Sequence, residues 1–147
     1  SPNNGDYAYM VIPSADPLSI EKQVEEEGVV ILANCPEVQA VRHDGLNMAY
    51  AAFYKGGTLR IHDKIVVEMD SPGMLMVKYN DAGEILALGV SDPTRFMKKL
   101  HLSVNQKIVG AVQENIQTEW DEKQALTRIT VELPQNEYAG KSVIYNK

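Results

Sequence analysis

From Gly28 onward the chain changes direction too often to sustain a helix of ordinary length. "VVILAN" stops at Cys35-Pro36, and "VQAVRH" stops at Asp44-Gly45, a dipeptide that favours a tight hairpin. "LNMAYAAFY" runs into Lys55-Gly56-Gly57. "TLRI" and "KIVVEM" flank His62-Asp63, and Ser71-Pro72-Gly73 precedes "MLMVKY". Asn80-Asp81-Ala82-Gly83 leads into "EILALGV", and "LHLSV", "KIVGAV", "ALTRITVEL" and "SVIYN" follow. Short β-forming runs broken by turn residues about every 8–12 positions predict an antiparallel β-sandwich or barrel. No fixed repeat length recurs, which argues against a solenoid.

Before Gly28 the pattern differs. "DYAYMVIP" alternates Tyr7, Tyr9 and Val11 with Ala8, Met10 and Ile12, and Pro13 closes it, so a strand is expected. In "ADPLSIEKQVEEEGV" Asp16 is placed to cap, Pro17 takes the first helical position, Leu18, Ile20 and Val24 form a short apolar stripe, and Gly28 ends it. The fold class expected is all-β: an antiparallel β-sandwich with one short helix near the N-terminus. The polar stretch 105–124, which contains "QENIQTEWDEKQ", is expected to be a long hairpin tip or a short helix.

Charge narrows the partners. The 147 residues carry a formal net charge of −6, which disfavours nucleic acid and anionic membranes, since both select a basic face. No apolar run approaches the roughly 20 residues of a membrane helix. Cys35 is the one cysteine, so no internal disulfide can form and the compartment stays open. The opening "SPNNGDYAYM" has neither an initiator Met nor a signal peptide, and reads as a cut inside a longer protein.

Catalytic chemistry is thinly represented. His43-Asp44 and His62-Asp63 resemble halves of dyads, but both fit turns better, and neither has a nucleophile elbow nearby. Cys35 lacks a context that would activate its thiol. His43, His62 and His101 are not at zinc-ligand spacing, and Asp81 and Glu84 around Gly83 lack the ligand ladder of a calcium loop. No phosphate-binding loop or dinucleotide fingerprint is present. No catalytic residue, metal or cofactor is therefore assigned. For sugar binding, which uses π faces, the aromatic candidates are Trp120, Tyr50, Tyr54 and Tyr79. Glu119, Asp121 and Glu122 surround Trp120 with negative charge. Arg95, Lys98 and Lys99 are the local basic cluster. Trp120, Lys98 and Lys99 are the substrate-binding candidates, with a solvated turn as the plainer reading of the two lysines.

Three stretches carry a resemblance. Tyr7, Tyr9, Val11 and Pro13 fit a Y-x-Y-x-V-x-P strand. Leu32, Asn34, Gln39, Ala40 and Val41 fit an L-x-N-T-x-x-x-Q-A-V strand, with Cys35 in place of the Thr, and Phe53 and Tyr54 end the next strand. "ELPQNEYAGKSVIY" fits a closing P-Q-x-E-[FY]-A-G turn and last strand. Together they resemble the C-terminal region of polysaccharide lyase family eight, which includes chondroitin AC, hyaluronate and xanthan lyases. The resemblance covers residues 6–92 and 128–145 and departs in the hairpin between Leu102 and Leu126.

The resemblance implies a three-part enzyme: an α/α toroid, a large antiparallel β-sandwich and a small C-terminal β-sandwich. Such enzymes cleave uronic-acid-linked chains by β-elimination. The Asn, His, Tyr and Arg that do so belong to the helical region, and none matches a position here. The expectation is a noncatalytic C-terminal sandwich of a secreted chondroitin or hyaluronan lyase, periplasmic or extracellular, which supports its upstream catalytic domains. By itself the chain is expected to be inactive and monomeric. The alternative is an accessory module that binds the acidic polysaccharide. Residues 1–28 would be the end of the central sandwich plus a connecting helix, and 29–147 the C-terminal domain. Within it, "ILANCPEVQAVRHDGLNMAYAAFY" is expected to form two strands joined at Asp44-Gly45. Val30, Leu32, Val38, Ala40, Met48 and Tyr50 would face the core, subject to a one-residue slip at any bulge.

Overall fold

Alternating apolar side chains along short strands can be buried only by laying one sheet on another. The computed structural model shows that arrangement; it describes residues 7–9, 11, 16, 18–26, 28–108 and 114–147. Among the described residues eleven strands are formed: β1 (Val29–Asn34), β2 (Val38–His43), β3 (Met48–Phe53), β4 (Gly57–His62), β5 (Ile65–Met69), β6 (Gly73–Tyr79), β7 (Ile85–Ser91), β8 (Lys99–Val104), β9 (Ile116–Asp121), β10 (Leu126–Glu132) and β11 (Val143–Asn146). One sheet has six strands in the order β1-β2-β3-β6-β7-β11, and the other five in the order β4-β5-β8-β10-β9. Every strand pair is antiparallel.

The core lies between the sheets. The six-stranded sheet contributes Ala49, Ala51, Phe53, Leu75, Val77, Leu88, Val90 and Tyr145. The facing sheet contributes Leu59, Ile61, Ile65, Val67, Leu100, Leu102, Ile129 and Val131. Gly73 has a packing role here: a Cβ at its position would lie 2.9 Å from Leu100 Cδ1, so the missing side chain lets the sheets close.

Thr127 is fully buried on β10 and ties down the connection after β8. Its Oγ1 donates to Gln106 O (2.6 Å) and accepts from Ile108 N (3.0 Å). Thr127→Val keeps the volume but leaves a buried N–H and carbonyl without that partner. A loss of about 1–3 kcal/mol in urea unfolding is the expected result. A loss under about 0.5 kcal/mol would mean that solvent replaces the hydroxyl.

Several expectations need correction. Tyr7, Ala8, Tyr9 and Val11 are exposed and form no strand; Met10, Ile12 and Pro13 lie outside the described residues. No described strand pairs with them, and an unpaired strand leaves its backbone groups to water. The helix α1 (Ile20–Glu26) forms, with Asp16 Oδ1 accepting from Leu18 N at 3.1 Å and Gly28 at φ +65° ending it. Its expected stripe packs on nothing described: Leu18 is 97% exposed and Ile20 is also exposed. Pro17 and the Val24 side chain lie outside the described residues.

The β2–β3 hairpin is real, but its turn is longer than a dipeptide. Asp44–Leu46 make a 3-10 turn and Asn47 takes the left-handed conformation, φ +50°. Ala40 lies opposite Ala51, and opposed residues share a face. The core side of β3 is therefore Ala49, Ala51 and Phe53, so Met48 and Tyr50 point outward, contrary to expectation. Val30, Leu32, Val38 and Ala40 keep their inward side, with an irregularity in β1 between Ile31 and Ala33. The polar 105–124 stretch contains edge strand β9, not a helix, over Ile116–Asp121. Of "KIVGAV", Lys107 and Ile108 are not strand and residues 109–112 lie outside the described residues.

Candidate functional site

The outer faces of the two sheets differ in kind. Across the five-stranded sheet one register row reads Thr58, Glu68, Ser103, Arg128 and Glu119. That is an ordinary solvated surface. Across all six strands of the other sheet the corresponding row reads Ile31, Val41, Tyr50, Met76, Gly89 and Ile144. Ile31 is 52% exposed, Tyr50 43% and Ile144 46%. Gly89 draws its neighbours together, since a Cβ there would lie 3.3 Å from Met76 Cε and 3.6 Å from Ile144 Cγ1. A continuous apolar row of this kind marks a contact surface. Beside it a groove is lined by Tyr7, Tyr9, Ile31, Val41, Tyr50 and Met74. Asn34 Nδ2 reaches the Tyr7 carbonyl at 3.4 Å.

The His-Asp pairs do not become dyads. The Asp44 carboxylate is taken by the Arg42 guanidinium, Nε to Oδ1 at 2.5 Å and Nη2 to Oδ2 at 3.3 Å. The Arg42 hydrogen bond holds the Asp44 carboxyl below its usual range, against the opposing effect of burial. Arg42 also donates to Ile61 O at 3.1 Å, which ties β2 to the facing sheet. His62 Nδ1 accepts from Lys64 N at 3.3 Å within its turn, and its ring lies 5.6 Å from the buried Tyr79 ring. Burial pushes the Tyr79 hydroxyl up, so it is no ready proton donor. His101 sits on the other sheet, its Nδ1 3.0 Å from Thr130 Oγ1. Cys35 is exposed, with Sγ 3.4 Å from Val38 O. Asp81 accepts from Asn47 Nδ2 at 2.6 Å, and Glu84 from Asn80 Nδ2 at 2.9 Å, so both carboxylates are part of turn structure. Among the described residues no three His, Cys, Asp or Glu side chains gather as a metal centre.

The sugar-binding candidates are separated. Trp120 lies opposite Thr127 on edge strand β9, half-buried, with Lys107 Nζ 5.8 Å over its ring. Lys99 lies opposite Glu132 and pairs with it at 2.6 Å. Thr127 and Glu132 are five residues apart on β10, about 17 Å at strand rise, so Trp120 and the lysines sit at opposite ends of the sheet. Tyr50 and Tyr54 are exposed on the six-stranded side, while Tyr79 is buried.

Lys98, a binding candidate whose plainer expectation is a solvated turn, belongs to a different group. Asp92 is 3% exposed and holds the loop after β7. Its Oδ1 accepts from Thr94 N (2.8 Å) and Thr94 Oγ1 (2.5 Å), and its Oδ2 from Phe96 N (2.9 Å) and Met97 N (2.8 Å). Burial pushes this carboxyl up, but the hydrogen bonds from Thr94, Met97 and Phe96 outweigh it and hold it below the usual range. At the tip of this fixed loop Phe96 is 89% exposed. The sequence signal was available: Asp92 followed at +2 by Thr94 is an Asx-turn pattern ahead of an aromatic residue.

Residues 30–101 match the model described as polysaccharide lyase family 8, C-terminal beta-sandwich domain. Chondroitinase-AC of Pedobacter heparinus is 28% identical over 142 residues, which is 97% of this chain and 18% of that protein. A chondroitinase AC lyase solved in oligosaccharide complexes superposes with a TM-score of 0.65 at 29% identity, covering 89% of this chain and 17% of the other. A Paenibacillus xanthan lyase gives 0.70 at 20% identity, covering 90% and 12%, and so shares the fold. The chain thus spans less than a fifth of the length of each of these relatives. Matched over residues 30–101 and in its two-sheet architecture, the chain is similar to the C-terminal β-sandwich domain of polysaccharide lyase family 8.

Proposed function

We propose that this domain is a noncatalytic structural element of a secreted lyase, periplasmic or extracellular, that cleaves a glycosaminoglycan such as chondroitin or hyaluronan by β-elimination. The apolar row from Ile31 to Ile144 carries the reading. It is the surface on which the upstream catalytic domains of the same chain would pack, with the charged row of the other sheet left to solvent. Residues 1–28 add no strand to either sheet among the described residues, in keeping with a domain boundary near Gly28. The relatives supply the chemistry of the proposal, since chondroitinase AC is the activity named for two of them. β-elimination needs a base near the uronate C5 proton and an acid at the leaving oxygen. The His-Asp pairs here are engaged in turns and an Arg42 ion pair, so that work falls to other parts of the enzyme.

Deleting this domain from the complete lyase tests the role. The expected result is a lower unfolding temperature or poorer solubility, with turnover per folded molecule largely retained. Unchanged stability would contradict a supporting role. A second reading, a module that holds the acidic polysaccharide, is favoured by one observation: the exposed Phe96 beside Arg95 and Lys98.

A further inference from the structure

Two loops meet at the end of the sandwich where β7 leaves and β10 ends. Leu133 N donates to Lys98 O at 2.8 Å, and Gln135 Nε2 donates to Met97 O at 3.0 Å. The Arg95 stem lies on Gly140, where a Cβ would meet Arg95 Cγ at 3.2 Å. Gly140 has φ +88°, so a side chain there would be strained as well as crowded. The second loop is fixed by a 3-10 turn, Asn136–Tyr138, continued by Lys141 N donating to Tyr138 O at 3.0 Å. Lys141 Nζ sits 5.8 Å over the exposed Tyr138 ring.

The composition of this surface is unusual for an acidic chain. Phe96 and Tyr138 are displayed from loops whose backbones are pinned. Arg95 and Lys98 have no ion pair or side-chain hydrogen bond among the described residues. Arg42, Lys55, Lys99, Arg128 and Lys147 each face a carboxylate, whereas Arg95 and Lys98, like Lys78 and Lys123, keep their charge available among the described residues. A protein-docking patch concentrates apolar area and is depleted of lysine at its centre, and the six-stranded face already has that character. Two separate π faces with Arg95, Lys98 and Lys141 around them, against the single exposed carboxylate of Glu137, suit another ligand. The C–H face of a pyranose packs on an aromatic ring, and a uronate or sulfate pairs with Arg or Lys.

We propose that loops 92–98 and 134–141 form a secondary site for an acidic, uronate-containing polysaccharide. Phe96 and Tyr138 would lie under sugar rings, and Arg95, Lys98 and Lys141 would contact the acidic groups. The inference deepens the binding-module reading of a family 8 lyase and needs no catalysis by this chain.

The test is an NMR titration of the isotopically labelled 147-residue chain with a chondroitin sulfate hexasaccharide, and with a neutral cello-oligosaccharide as control. Shifts confined to the two loops, and produced by the acidic sugar alone, are expected. Phe96→Ala should weaken binding about five- to tenfold with an otherwise unchanged spectrum. Lys98→Ala with Lys141→Ala should weaken it and flatten its dependence on salt. No shifts, shifts elsewhere, or equal response to the neutral sugar would overturn the site. So would wild-type affinity in Phe96→Ala. If sugar fails to bind and Phe96→Ala instead loosens the domain within the complete lyase, the patch is an interdomain contact and the proposal falls. None of these outcomes alters the effect of deleting the domain, so the supporting role stands or falls separately.

Discussion

Asp92→Ala is expected to cost the fold about 3–4 kcal/mol, a large part of the stability of a domain this size. The substitution removes one carboxylate that accepts three backbone N–H groups and the Thr94 hydroxyl. The loop cannot re-form those bonds with itself, and water must enter to do so. At this chain length such a loss lowers the melting temperature by about 10 °C. Asp92→Asn keeps the volume and one good acceptor, so it should lie between wild type and the alanine variant. The pH dependence separates charge from shape. The folded carboxyl is held below its unfolded value, so its contribution is complete above the unfolded pKa, about 3.9. It disappears as the pH falls through the folded value. Wild type and Asp92→Asn should therefore converge in acid when compared by denaturant unfolding. A gap that persists unchanged in acid would show that the charge is not what the loop requires.

The strands after Gly28 were legible because each is short, β-rich and closed by a turn residue. The pairing order of those strands was not, since it depends on where the chain crosses between sheets. The core face of β3 shows how local the failure was. "LNMAYAAFY" alternates large and small side chains, and size suggested Met48 and Tyr50 as core. Register decides otherwise: Ala51 opposes Ala40, and the alanines face inward against the bulk of the other sheet. The outward row was hidden for the same reason. Ile31, Val41, Tyr50, Met76 and Ile144 are far apart in sequence and become neighbours only through five strand pairings. The "DYAYMVIP" pattern failed differently. Alternation predicts a strand only where a partner exists, and among the described residues Tyr7–Tyr9 have none. At the two His-Asp pairs the turns beginning at Asp44 and Asp63 were legible, with His43 and His62 as the last residues of their strands. Trp120, Lys98 and Lys99 were separate binding candidates, and β10 keeps Trp120 and the lysines apart by most of its own length.

The second large effect concerns the six-stranded face. Ile31→Lys with Tyr50→Lys places two cations on the apolar row. In the 147-residue chain both side chains are exposed, so the cost is that of β-propensity and lost local packing, under about 1 kcal/mol each. If the catalytic domains cover this face, the same cations are buried without partners, which costs several kcal/mol and detaches the domain. The two contexts should therefore respond very differently. A control pair on the charged face, Thr58→Lys with Ser103→Lys, should be mild in both.

The most direct measurement is calorimetric unfolding of the full-length protein, wild type against Ile31→Lys/Tyr50→Lys, beside the same pair in the 147-residue chain. The account predicts that the isolated chain melts almost as before, while in the full-length protein the domain unfolds at a distinctly lower temperature than in wild type. A full-length protein that melts identically with and without the two lysines would contradict the docking role of this face, and with it the structural function proposed for the domain.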